Sequence, residues 1–375
     1  MQSKFDDIRP YNTSEIHPAM QRIAESDHFG MMSQYVFPDK DVESIRKMVR
    51  NFHTTEEFQK EVMYYFNYQV ILRSITELSF DGLDRLYPET NYLFVSNHRD
   101  IMLDSSLLQY LLHNNGFRTT EITFGSNLMH PQLVVDIGKS NKMFKVERGS
   151  NLRDFINNSQ HLSEYIRYTI TEKGESIWIA QRNGRTKNGN DATDQGMIKM
   201  FCMSEKSDLV RSIEELNIIP IAISYQIEPC DFLKTRELYL TQNCNKYVKQ
   251  PGEDLCSILT GIQQPKGNIH ISFGEPFTRD ELSFDQKTPN DFYKNVACLI
   301  DQRIFKHYRL FNNNYIAHDL RSGKSAYSHK YSIEEKEAFV ARLHTMLEQV
   351  EGDKNTLMSV FLGMYANPVD NIFTK

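Results

Sequence analysis

Paired cysteines, long apolar runs and an excess of positive charge are all missing from this sequence, and each shortage closes a class of explanation. The 375 residues include five cysteines, Cys202, Cys230, Cys244, Cys256 and Cys298. They are widely spaced, odd in number and form no C-x-x-C pair, so neither a disulfide framework nor a cysteine zinc site is indicated and a reducing cytoplasm is expected. No stretch approaches the roughly 18–20 apolar residues that cross a bilayer. The opening MQSKFDDIRPYN lacks an apolar core, so no secretory signal is expected. Lipids, if this chain handles them, are then reached peripherally, from the membrane surface. Lysine and arginine number 43 against 49 acidic residues, a formal net charge of −6. That balance argues against nonspecific binding of nucleic acid, which needs a positive surface.

What is present reads as a globular chain with 40% hydrophobic and 25% charged residues. The first eighty residues have helical periodicity. Asp41–His53 places Ile45, Met48, Val49 and Phe52 on one face. Thr54-Thr55-Glu56-Glu57 is a capping box, and the helix it opens is expected to run to about Ser79. That helix is rich in aromatics, with no charge between Glu61 and Arg73, which fits a core helix or one facing a membrane or an acyl chain.

From Asn91 short β-branched and aromatic runs alternate with helical stretches. The runs are Tyr92–Ser96, Ile122–Gly125, Met143–Val146, Ser176–Ala180, Ile218–Ser224 and Ile269–Phe273. Helical stretches lie at Ser105–Asn114, Asn151–Glu172, Met197–Glu215 and Asp254–Gln263. This alternation predicts an α/β fold with a single sheet covered by helices. Helices return from Glu281, with a second capping box at Ser332–Glu335 and a stop at Gly352, while Asn312–Ser328 reads as a polar loop. The expected organisation is a helical region at 1–80, an α/β domain at 81–280 and a helical region at 281–375.

Four strand-associated features carry chemical side chains. Ser96-Asn97-His98-Arg99-Asp100-Ile101-Met102-Leu103-Asp104 follows the first strand. Histidine suits proton transfer at neutral pH, and a carboxylate on its other ring nitrogen would fix its tautomer. Phe144-Lys145-Val146-Glu147-Arg148-Gly149-Ser150 is a strand ending in arginine and glycine. Gln181-Arg182-Asn183-Gly184-Arg185-Thr186-Lys187 opens a flexible, positive loop suited to a phosphate. Ile218-Ile219-Pro220-Ile221-Ala222-Ile223-Ser224-Tyr225 is a strand whose proline marks a start or an edge. Taken singly, each also fits an ordinary turn, cap or surface pair.

In this order the four features resemble the successive sequence blocks of the glycerol-3-phosphate and 1-acylglycerol-3-phosphate acyltransferase superfamily. Gly274-Glu275-Pro276 resembles that family's G-E-P turn, and Gly125-Ser126-Asn127-Leu128 is similar to its membrane-bound glycerol-3-phosphate branch. The resemblance covers about residues 80–280. It implies a glycerolipid acyltransferase with no metal or prosthetic group and no covalent enzyme intermediate. His98 would be the general base, and acyl-CoA, acyl carrier protein or an acyl phosphate the donor. The acceptor would be lysophosphatidic acid or glycerol 3-phosphate, with a lyso-aminolipid as a further option. Arg148, in the second block, and Arg185, in the loop that also holds Asn183 and Gly184, match positions used around the acceptor phosphate; Lys187 is a candidate on charge alone.

Two departures stand out. The family pattern H-x-x-x-x-D would put an aspartate where Leu103 stands, so Asp104 is the expected partner of His98 and Asp100 the alternative. In the third block, Arg182 or Asn183 occupies the place of the usual glutamate. A non-catalytic lipid- or acyl-carrier-binding protein on the same fold is therefore the rival expectation from another functional class.

Overall fold

The computed structural model describes residues 4–147, 149, 151–243 and 247–374. Strands β1 (Ile75–Asp81), β2 (Leu93–Ser96), β3 (Glu121–Gly125), β4 (Met143–Val146), β5 (Ile177–Ala180), β6 (Ile218–Tyr225) and β7 (Gly267–Phe273) form one sheet in the order β1-β7-β6-β2-β5-β3-β4. Neighbours run parallel except β6 and β7, which are antiparallel.

Five helices precede the sheet or lead into it: α1 (Thr13–Glu25), α2 (Phe29–Val36), α3 (Val42–Arg50), α4 (Thr55–Phe58) and α5 (Tyr64–Ser74). Between strands lie α6 (Leu103–Asn114), α7 (Gln132–Ser140), α8 (Leu152–Tyr168), α9 (Gln195–Phe201), α10 (Leu209–Glu214), α11 (Asp231–Asn243) and α12 (Glu253–Gln263). After β7 come α13 (Arg279–Leu282), α14 (Pro289–His307), α15 (Asn312–Ser322), α16 (Ile333–Gln349) and α17 (Lys354–Thr374).

β6 explains why helices must cover both faces. It is buried along its whole length. Ile218 and Ala222 join a core with Ile166 of α8, Ile213 of α10 and Ile300 of α14. Ile219, Ile221, Ile223 and Tyr225 join the opposite core with Val70 of α5 and Leu107 and Leu111 of α6. Each fully buried isoleucine contributes about 1.5–3 kcal/mol relative to exposure, so neither face tolerates water. Two further apolar clusters pack α1–α5 against α7 and α15–α17 against each other.

Four local expectations are corrected. The helical stretch opened by the Thr54 box passes through a π-turn at Gln59–Met63 and stops at Ser74, not Ser79. Ile75–Asp81 instead pairs with β7 and becomes an edge strand, because β7 offers an open ladder there. Asn312–Ser322, expected as loop, is α15: its polar side chains are satisfied across the fold, Asn314 Nδ2 donating to Tyr365 O at 2.8 Å and Asn313 Nδ2 to Gln226 O at 2.7 Å. The stretch Met197–Glu215 divides into α9 and α10, with Asp208 capping the second by accepting from Arg211 N at 2.9 Å. Pro220 lies in an interior strand rather than at an edge. The β7 ladder begins one residue later, at Ile221, so the missing N–H falls outside it.

Candidate active site

β2 and β5 are neighbours, so the segments that leave their carboxyl ends run side by side. Gln181 N donates to Ser96 O at 2.8 Å, continuing the ladder, and Thr186 N donates to His98 O at 2.7 Å. Asn97 fastens the same segment to β6: its Oδ1 accepts from Ile223 N at 2.7 Å and its Nδ2 donates to Ile223 O at 2.9 Å. An asparagine amide thus substitutes for a strand residue. Trp178 Nε1 donates to Ser96 Oγ at 3.0 Å, and its ring meets His98 edge-on at 5.7 Å.

His98 Nδ1 lies 2.8 Å from Asp104 Oδ2. That oxygen also accepts from the backbone N–H of Arg99 at 2.6 Å and of Asp100 at 3.0 Å, and Asp104 Oδ1 accepts from Tyr225 OH at 2.7 Å. Burial works to raise the Asp104 pKa, but hydrogen bonds from His98, Tyr225 and the backbone hold it below the ordinary aspartate value. An ionised carboxylate on Nδ1 fixes the proton there and leaves the Nε2 lone pair able to accept a proton. The imidazole is 13% exposed, its aspartate fully covered, so the pair opens outward on the histidine side.

Asp100 does a different job. Its Oδ1 accepts from Met102 N and Leu103 N, both at 2.9 Å, capping the start of α6. Its Oδ2 is buried against Gly261 of α12, where a Cβ would approach to 2.2 Å.

Arg99, between His98 and Asp100 in the chain, is almost wholly buried. Its guanidinium donates to Asp191 Oδ2 at 2.6 Å and Glu228 Oε2 at 3.0 Å, and Lys234 Nζ bonds Glu228 Oε1 at 2.5 Å and the Arg99 carbonyl at 2.7 Å. Burial opposes the Arg99 charge, but Asp191 and Glu228 hold it well above its ordinary range. This lattice ties the His98 segment to the end of the basic loop and to α11. Removing one member of such a buried set typically costs about 3–5 kcal/mol.

Arg185 lies on the same side. It is 9% exposed, makes no ion pair among the described residues, and its Nη1 is buried without a hydrogen-bond partner. Five more buried polar atoms without partners lie on the two segments that leave β2 and β5: Arg99 Nε, Asp100 Oδ2, Gln181 Nε2, Thr186 Oγ1 and Asp191 Oδ1. Such a concentration marks a place where a ligand or ordered water completes the hydrogen bonding. Lys187 is not available in the same way, because it pairs with Glu237 of α11. Asn183 and Gly184 sit exposed at the loop apex, where Gly184 adopts φ +75°. Arg148 lies outside the described residues. Among the described residues no three His, Cys, Asp or Glu side chains are grouped to hold a metal.

Sequence reasoning missed Tyr225 and the Arg99 lattice. Tyr225 closes the fourth block and was in view, but only the sheet register aims its hydroxyl at Asp104. The partners of Arg99 lie 92 and 129 positions away in the chain, and no local spacing announces them.

Residues 77–224 match the acyltransferase family model. The glycerol-3-phosphate acyltransferase of Pseudomonas syringae pv. tomato is 24% identical over 227 residues, covering 60% of this chain and 26% of that protein. That of Pseudomonas fluorescens is 24% identical over 240 residues, covering 64% of this chain and 27% of that protein. The chain thus spans about a quarter of the length of the curated relatives it matches. The crystal structure of the 1-acyl-sn-glycerophosphate (LPA) acyltransferase PlsC from Thermotoga maritima aligns with a TM-score of 0.38 at 12% identity, over 77% of this chain and 94% of that one.

Proposed function

We propose, from a chain whose α/β domain is a divergent member of the glycerol-3-phosphate and 1-acylglycerol-3-phosphate acyltransferase superfamily, that it esterifies the hydroxyl of glycerol 3-phosphate or lysophosphatidic acid. The donor is an acyl-CoA, acyl carrier protein or acyl phosphate, and the work is done at the cytoplasmic membrane surface. In this reading His98 Nε2 takes the acceptor hydroxyl proton as that oxygen attacks the donor's acyl carbon. The new ester C–O bond forms, the bond to the donor's sulfur or phosphate oxygen breaks, and the proton passes from His98 to the leaving group. Asp104 steadies the imidazolium between those two transfers. Arg185, with its unpartnered Nη1, receives the acceptor phosphate.

The observation that supports the reading best is the 2.8 Å contact between His98 and an aspartate held by three further donors. A carboxylate serving only as a helix cap would not need a histidine at the surface side. General-base catalysis contributes about 10²–10⁴-fold. His98→Ala protein, shown by circular dichroism to be folded, should therefore lose that much acyl transfer across a panel of acceptors and donors. Transfer at the wild-type rate would sink His98 as the base, and no transfer by the wild-type protein across the panel would leave a binding protein. Arg185→Gln should raise KM for phosphorylated acceptors more than for neutral ones; equal losses would remove the phosphate role.

A further inference from the structure

A second polar site lies at the edge of the sheet, where β1 and β7 pair. A surface cavity of about 380 Å³ is lined by Asp81, His270, Ser272, Lys306, His307 and Arg309. Strand register places Ser79 beside His270 and Asp81 beside Ser272, while the last turn of α14 and the residues after it supply the three others. The side chains on the strands satisfy one another. His270 Nδ1 lies 2.9 Å from Ser79 Oγ, and its Nε2 lies 3.2 Å from Asp81 Oδ2. The Ser272 hydroxyl donates to Asp81 Oδ1 and sits 3.3 Å from His307 Nδ1. The cations are not satisfied in this way. Arg309 Nη1 reaches only neutral groups, Ser79 Oγ and His270 Nδ1, each at 3.4 Å. Neither Arg309 nor Lys306 has a carboxylate within ion-pair distance among the described residues.

In a chain of net charge −6, two cations without carboxylates on one concave surface are worth explaining. A guanidinium fork, an ammonium and an imidazole form a set suited to a tetrahedral oxyanion. We propose that this cavity binds a phosphate monoester, with Arg309 and Lys306 taking its non-bridging oxygens and His307 donating a further hydrogen bond. Two local features oppose the anion and are outweighed. The C-terminus of α14 carries a partial negative charge of about half a unit, against two full cations. Asp81 is turned toward His270 and Ser272, which occupy its oxygens. Burial pushes both imidazoles below their ordinary value, and for His307 neighbouring Arg85 and Lys306 add to the effect, so at neutral pH both rings are uncharged. Tyr308, between His307 and Arg309, packs its ring 5.6 Å from the Arg99 guanidinium, so the cavity adjoins the lattice behind His98 without sharing a residue with it.

The test titrates inorganic phosphate and glycerol phosphate into the full chain while following the imidazole resonances of His270 and His307. Vesicles carrying phosphatidic acid, with phosphatidylcholine vesicles as control, form a second arm. Saturable shifts of both imidazoles are expected, weakened tenfold or more in Lys306→Ala/Arg309→Ala and tightened in Asp81→Asn. Lys306 and Arg309 are exposed, so the double variant should keep its fold. If only the phosphatidic acid vesicles bind, and through the same two cations, the monoester is a lipid headgroup and the site stands. Imidazoles that ignore both soluble phosphates, together with vesicle binding indifferent to the double variant, would overturn the proposal.

Discussion

Asp104 carries the geometry of the candidate site on one carboxylate: it orients His98, accepts two backbone N–H groups and anchors Tyr225. Asparagine in its place keeps the volume but supplies one acceptor where four donors converge, and it permits the wrong imidazole tautomer. Asp104→Asn should lower kcat by about 10²–10⁴-fold with a smaller change in KM. Asp100→Asn keeps an acceptor for the α6 cap and should stay within about tenfold of wild type. Equal losses in the two variants would mean that Asp100 shares the role. Stability supplies a separate readout. The folded Asp104 pKa lies below the ordinary aspartate value of 3.8, so its contribution is fully present above that pH and is lost as pH falls through the lower folded value. The stability gap between wild type and Asp104→Asn should therefore be constant near neutrality and shrink only below about pH 4; a gap that narrows between pH 5 and 7 would contradict this assignment. Of these details the sequence displayed the residue types and the one-position shift of the aspartate. It did not display that Asp100 turns away, because Leu103 and Met102 amides and the Gly261 face of α12 decide that in three dimensions.

The basic loop keeps its shape because the C-terminal helices hold it. Asn367 Nδ2 of α17 donates to Asn188 O at 2.7 Å, and Gly189, at φ +74°, brings its Cα so close to α17 that a Cβ would stand 2.1 Å from Met364 O. Below that contact, Asp231 at the start of α11 accepts both Arg342 donors at 2.7 Å and Tyr365 OH at 2.7 Å. Gly189→Ala combines left-handed strain with a backbone clash, and should cost about 2 kcal/mol or more in denaturant unfolding and raise acceptor KM. An alanine variant with wild-type stability and KM would show that α17 and the loop move independently. These elements were unequally legible. Interior strands announced themselves as β-branched runs, and the boxes at Thr54 and Ser332 formed as their spacing implies, since caps depend on four adjacent residues. β1 and α15 did not, because each depends on a distant partner: the free edge of β7 for one, and carbonyls of Gln226 and Tyr365 for the other. Gly189 looked like a loop glycine until the helix that requires it was in place.

Across the whole molecule, an apolar surface formed by α5 and α12 lies next to the candidate site. No helix among the described residues is long and apolar enough to cross a membrane. On α5, however, Tyr65, Tyr68 and Leu72 are 39%, 44% and 64% exposed, and on the adjoining α12 Leu255 and Leu259 are 58% and 47% exposed. The opposite sides of the same helices are inward: Val70 is fully buried in the sheet core, and Gly261 lies against Asp100. α12 therefore has an apolar outer stripe and an inner face that touches the His98 segment. A surface of this kind suits a bilayer interface, and under the proposed function it would bring lipid substrates to His98 without a spanning segment. Burying Leu72 and Leu255 in acyl chains would contribute roughly 2–4 kcal/mol together, and each factor of ten in binding corresponds to about 1.4 kcal/mol. Leu72→Glu/Leu255→Glu should consequently lower vesicle binding by tenfold or more in a sedimentation assay. Because both side chains point into solvent, thermal stability should hold, and so should transfer from a soluble donor to glycerol 3-phosphate. Activity on vesicle-borne lysophosphatidic acid should fall in step with binding. Were vesicle binding unchanged, this face would be an ordinary exposed surface; were soluble transfer lost as well, the substitutions would have reached the site through α12.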